Sequence, residues 1–177
     1  METDDEELAI AAGQGDRAAF AVLIDRHYDR IFRFGWRLSG SKERAEDIAQ
    51  DIALRLPRAL RGFRGEARFT TWLHRLTINA ARDAARREAA RTRAMSGYAA
   101  EAALHAPDGA GETRAEWLLR ALAALKPDLA ETAALLLGED MTQSGAAEIL
   151  GVAPGTIAWR MSEVKKTLAA MAEAEEL

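Results

Sequence analysis

The chain has 177 residues, room for one medium domain or two small ones and little more. Apolar residues make up 49% and charged residues 29%, the balance of a globular chain, and the absence of cysteine excludes a disulfide framework and thiolate metal sites. The formal net charge of -4 hides a strong asymmetry: residues 53–95 hold 11 basic side chains, all arginine, against 3 acidic ones, while the segments on either side are acidic.

Alanine is abundant, β-branched runs are missing and glycine and proline are few, so helices are expected throughout. The start Met1-Glu2-Thr3-Asp4-Asp5 is acidic where a signal peptide would be basic. No apolar run approaches the roughly 20 residues that cross a bilayer, which points to a cytosolic chain without membrane insertion. The first strong periodicity runs from Arg17 to Leu38, where Phe20, Leu23, Ile24, Ile31 and Leu38 recur at three and four. Gly40 breaks it, and Ser41 is the N-cap candidate for the next helix, which runs to about Leu60. Ala45, Ile48, Ala49, Ile52 and Leu56 face inward there, and Glu43, Glu46, Asp47, Gln50 and Asp51 mark the opposite side. Pro57 kinks or finishes this helix.

Arg61-Gly62-Phe63-Arg64-Gly65-Glu66 reads as a loop. From about Thr70 a long helix extends towards Arg93. Leu73, Leu76, Ala80 and Ala84 form one stripe, and Arg75, Asn79, Arg82 and Arg86 another. Such a helix can be a core helix with a solvated basic face, or one laid on a nucleic acid. Residues 96–113 lose the apolar stripe and read as a flexible linker.

A second helical unit begins near Trp117, with Pro127 starting its second helix at the first turn. A short helix from Thr142 to Leu150, a turn at Gly151 and a longer helix opened by Pro154-Gly155-Thr156 then form a helix-turn-helix. Ile157, Met161, Val164 and Leu168 would face inward, leaving Thr156, Trp159, Arg160 and Glu163 outward where a recognition helix enters a major groove. The expected division is therefore 1–95, a linker at 96–113, and 114–177.

The order of the parts is more specific than any one of them. Ala45-Glu46-Asp47-Ile48-Ala49-Gln50-Asp51, Phe63-Arg64-Gly65-Glu66 and Phe69-Thr70-Thr71-Trp72-Leu73-His74-Arg75-Leu76-Thr77-Ile78-Asn79 resemble the first domain of an extracytoplasmic-function (ECF) sigma factor. Ala147-Glu148-Ile149-Leu150-Gly151-Val152-Ala153-Pro154-Gly155-Thr156-Ile157, with Arg160, is similar to the second domain of that family. The resemblance implies a transcription initiation subunit without catalytic residues, cofactor or metal. It implies a region 2-like domain that docks on core RNA polymerase and captures the -10 element of promoter DNA. A region 4-like domain would read the -35 element, and an anti-sigma factor would commonly hold the protein inactive. The chain would be a monomer when free, or a heterodimer with that factor.

By this resemblance Glu46, Asp47, Gln50 and Asp51 contact the polymerase, although a merely solvated face would carry the same residues. Phe63 would wall an unstacked base and Asn79 would read its edge, donating and accepting. Arg64 lies in the same loop, and Arg75, Arg82, Arg86 and Arg87 would contact phosphates. Phe63 can also be a core plug, Trp72 reads as core, and Asp83 is placed to pair with Arg86 or Arg87. In the second domain Arg160 is the candidate for a guanine or phosphate and Thr156 for a phosphate. Trp159 and Glu163 depart from the family pattern, so their part in -35 recognition stays open. A DNA-binding regulator that does not join polymerase, and a protein mimic of the fold, are the competing readings. An all-helical enzyme is disfavoured by scattered histidines and by the lack of paired carboxylates at a pocket.

Overall fold

The computed structural model describes residues 4–95, 113–139 and 141–175. Its elements are α1 (Asp5–Gly13), α2 (Arg17–Ser39), α3 (Lys42–Ala59), a 3-10 turn at Leu60–Gly62, α4 (Phe69–Met95), α5 (Arg114–Ala123), α6 (Pro127–Gly138), α7 (Gln143–Leu150) and α8 (Pro154–Ala174). No strand occurs among the described residues.

Helix ends follow local chemistry. The Asp16 carboxylate accepts from the Ala18 and Ala19 N–H groups at 2.9 and 3.1 Å and starts α2. Gly40 ends it in the left-handed region at φ 68°, where its N–H donates to the Trp36 carbonyl at 2.8 Å. Ser41 caps α3 as its sequence position suggests, accepting from the Arg44 N–H. Pro57 does not stop that helix at once; it sits in the last turn, and the helix closes two residues later. Pro127 occupies the first turn of α6.

Two elements differ from the sequence reading. Helix α1 precedes the first expected helix and buries Leu8, Ala9 and Ala12. Thr113, assigned above to the linker, is the N-cap of α5 in a reciprocal box with Glu116. The rest of the expected linker lies outside the described residues.

Helices α1 to α4 enclose one core, with Leu23, Ile31, Ile52, Leu56, Leu60 and Phe69 almost fully buried. Helix α4 opens at Phe69 behind Arg68, whose side chain has no acceptor with which to cap it. The Glu6 carboxylate of α1 accepts from the Phe69 N–H at 2.8 Å instead, a cap supplied from 63 positions away. In the second half, Leu122, Leu125, Leu129 and Ala133 pack on Val164 of α8. A further cluster crosses between the halves: Phe34 of α2 and Ile78 of α4 meet Leu135 of α6, Ile149 of α7 and Ile157 of α8. The two units share apolar surface as well as a chain.

Candidate nucleic-acid interface

The face of interest is built at the N-terminal end of α4. The 3-10 turn delivers Phe63 to the core, and its ring meets Trp72 edge-on at 5.5 Å and Phe69 at 5.9 Å. Phe63 is only 8% exposed: it plugs the core, and its remaining edge lines a cavity of about 500 Å³. Arg64, Trp72 and Arg75 line the same cavity. Trp72 is half-buried, so it is less sealed in the core than the sequence suggests. Asn79 lies one helical turn beyond Arg75, is exposed, and is not among the residues lining the cavity.

Arg75, Asn79, Arg82 and Arg86 all face outward along one stripe of α4, as the four-three-four spacing requires. The arginines of this helix are engaged within the chain. Arg86 pairs with Asp83 one turn away. Arg87 lies 3.9 Å from Asp51. Arg82 makes a two-pronged contact with Glu131 of α6, donating from Nε at 2.6 Å and from a terminal nitrogen at 2.7 Å. Arg75 donates to the Glu148 main-chain carbonyl at 2.6 Å, with the Glu148 carboxylate 3.7 Å away.

Behind this stripe His74 is buried, edge-on to Phe34 at 4.9 Å. Its Nε2 faces Glu139, just beyond α6, at 3.3 Å. Arg30 reaches the same carboxylate at 3.2 Å, and Arg37 touches its other oxygen. Burial alone would push the Glu139 carboxyl up. The facing His74 and the Arg37 and Arg30 charges outweigh it and hold the group below the usual carboxylate range.

The outer face of α3 forms a second surface. Glu46, Asp47 and Gln50 are exposed, and Asp51 is half-covered, paired with Arg55 at 2.7 Å. Leu54 completes that row and is 82% exposed. Sequence reasoning missed it, although an apolar residue inside a charged stripe, three and four positions from Asp51 and Gln50, was a usable signal.

In the helix-turn-helix, Thr142 caps α7 and Gly151 makes the turn, as its position implies. Trp159 is 59% exposed on the first half of α8. Thr156 and Glu163 are half-covered, and Glu163 pairs with Lys166 at 2.8 Å. Arg160 corrects the expected outward set: its side chain is 16% exposed and its Nε lies 3.4 Å from Asp128 of α6. It follows Ile157 by three and precedes Val164 by four, and both are fully buried, which turns Arg160 towards the packed side.

Residues 23–91 match the sigma-70 region 2 family model. Over 171 residues the chain is 33% identical to the ECF RNA polymerase sigma factor SigM of Mycobacterium tuberculosis, covering 95% of this chain and 84% of that protein. It is 32% identical over 146 residues to the RNA polymerase sigma factor CarQ of Myxococcus xanthus, covering 80% and 82%. Among solved structures, CnrH in complex with the cytosolic domain of CnrY shares the fold with a TM-score of 0.69 at 24% identity, over 96% of this chain and 97% of that one. The sigma factor RpoE of Bartonella quintana, bound to the anti-sigma factor NepR, matches with a TM-score of 0.70 at 23% identity, over 87% and 96%.

Proposed function

The chain belongs to the ECF RNA polymerase sigma factors, and from that membership we propose how its surfaces divide the work of promoter recognition. Residues 1–95 act as the region 2-like unit, 114–177 as the region 4-like unit, and the segment between them as the linker. Such a protein is a transcription regulator. It directs core RNA polymerase to promoters and performs no bond chemistry of its own, so neither cofactor nor metal enters the account.

The observation that carries this division is the cavity at the head of α4, where Phe63 and Trp72 supply aromatic wall and Arg75 supplies charge. An unstacked base needs an apolar wall and a polar reader, and its backbone needs cations. Phe63, Arg64 and Trp72 receive a base of the -10 element, Asn79, exposed one turn beyond Arg75 and outside the cavity lining, reads a base edge of the same element from the surface of α4, and Arg75, Arg82, Arg86 and Arg87 track the phosphates. Glu46, Asp47, Gln50 and Asp51 hold the polymerase, with Leu54 as the apolar centre of that contact. A charged rim around one exposed apolar side chain is the usual anatomy of a protein interface.

On α8, Trp159 and Thr156 contact the -35 duplex, and Arg160 positions α8 through Asp128 before it contacts anything outside. Regulation by an anti-sigma factor fits the relatives' complexes and the exposed Leu54 face. No described helix is long and apolar enough to cross a membrane; the proposed place of work is the cytoplasm because core polymerase is there.

Run-off transcription from a genomic promoter library, with core polymerase and with or without this protein, tests the function. Added transcripts sharing paired -35 and -10 sequences are expected. An unchanged transcript set refutes it.

A further inference from the structure

The chain holds four tryptophans, and three of them are engaged. Lys42 lies over the ring of Trp36 at 4.9 Å, Trp72 packs edge-on against Phe63, and the Trp117 indole N–H donates to Glu175 at 2.7 Å. Trp159 differs, standing out from α8 with more than half of its surface in water. The packing of α8 is carried on its other side, where Ile157 and Val164 are fully buried. An aromatic side chain left in solvent is suited to contact with a partner.

The residues around Trp159 narrow the chemistry of that contact. In a major groove a guanine is read by a guanidinium or ammonium, an adenine by an amide and a cytosine by a carboxylate, whereas a thymine offers its methyl group to apolar side chains. Between Pro154 and Lys166 there is no asparagine or glutamine, and the one arginine is Arg160, turned inward beside Asp128. The Glu163 carboxylate is paired with Lys166. Lys165 and Lys166 lie about three turns into α8, while base edges meet the first residues of a recognition helix.

The front of α8 therefore presents one exposed stripe, Gly155, Ala158, Trp159 and Ser162, spaced at three and four. Its other three side chains are too small to keep a base edge away from the indole. A Cβ on Gly155 would meet open space, so packing within the chain does not require that glycine. The indole itself has one N–H donor and no acceptor, and the rest of its surface is apolar.

We propose that Trp159 makes the -35 contact of this chain an apolar one, the indole packing on a thymine methyl in the major groove and setting specificity there in place of charged or amide side chains. The proposal rests on the region 4-like reading of α8 and names the chemical group which that helix recognises. Removing one methyl from water is worth about fourfold in affinity.

Uracil is thymine without that methyl and pairs with adenine in the same way. Holoenzyme assembled from core polymerase and the full chain is bound to a duplex promoter from the transcript library, with each -35 thymine of either strand replaced singly by uracil. The chain is used as parent, as Trp159→Ala and as Trp159→Phe. At one or more thymines, uracil is expected to weaken the parent about fourfold and to leave Trp159→Ala unaffected. Trp159→Phe keeps an apolar ring without the N–H and is expected to stay sensitive to the methyl.

Uracil tolerated by the parent at every position overturns the proposal. An equal loss in parent and Trp159→Ala overturns it too, because the methyl is then read by another residue. A Trp159→Phe chain blind to the methyl assigns the contact to the indole N–H and overturns its apolar nature. Scrambling the whole -35 element separates the two levels. Unchanged parent binding refutes the region 4-like reading of α8 and the proposal with it, whereas weakened binding with uracil tolerated refutes the thymine contact alone.

Discussion

Replacing Leu54 with serine separates interface from stability with unusual clarity. The side chain is 82% exposed in the free protein, so there is almost no folded-state packing to lose. Fully burying a leucine side chain is worth about 1.5–3 kcal/mol. With about four-fifths of it still in water, burial against polymerase has about 1.2–2.5 kcal/mol to supply. That corresponds to roughly 8- to 70-fold weaker association with core polymerase for Leu54→Ser. The cost to the free protein is a lower helix propensity, of about 0.5 kcal/mol, or a melting point lower by about 1–2 °C for a chain of this size. Competition against labelled parent protein for core polymerase, beside a thermal melt, reads both. An unchanged affinity with an unchanged melt refutes the assignment of the α3 face. A melt lowered by 5 °C or more refutes the premise that Leu54 is unpacked.

Asp47→Arg is expected to weaken core binding while leaving the melt in place, and the loss should shrink as salt rises; a salt-independent loss contradicts an electrostatic role. Asn79→Ala is expected to reduce discrimination at one -10 position by about 1–3 kcal/mol, with core affinity intact, as read from promoter competition by the holoenzyme. Trp159→Ala should impair -35 preference and spare the melting point, whereas Arg160→Ala should lower the melting point first; the reverse pattern contradicts the inward placement of Arg160. Burial pushes His27 below its ordinary value, with Asp5 only partly offsetting it, so the folded state favours the neutral ring. Its stabilisation is present above the ordinary value of 6.5 and is lost as pH falls through that value towards the depressed one. Melting temperature against pH should decline below neutrality, and the decline should flatten in His27→Gln; equal slopes refute the assignment.

Most helices could be read from the chain because their signals are local. Asp16, Ser41 and Thr142 cap within three residues, Gly40 and Gly151 terminate, and the apolar stripes of α2 to α4 fall at three and four. Helix α1 escaped because its buried contacts are small, Ala9 and Ala12 beside Leu8, and alanines make a weak stripe. The cap of α4 escaped because Glu6 is distant in sequence.

The site was legible as a set of residue types and not as an arrangement. Phe63, Arg64 and Arg75 do line one cavity, yet nothing local in the chain marks Phe34 and Ile78 as the residues that meet α6 and α7, which only packing reveals. Arg160 looked outward because arginine usually is, while its helical position beside Ile157 and Val164 argued otherwise. Leu54 and the buried Leu56 point to opposite sides of α3, and a single apolar residue on the charged side makes no stripe to read.

The central claim is that an unpaired promoter base is held at the head of α4. A photoreactive side chain in place of Asn79, in a holoenzyme bound to a melted promoter, reports this directly. Crosslinking to one base of the non-template strand within the -10 element is the predicted result. Crosslinks spread over duplex DNA, or none to that strand, contradict it.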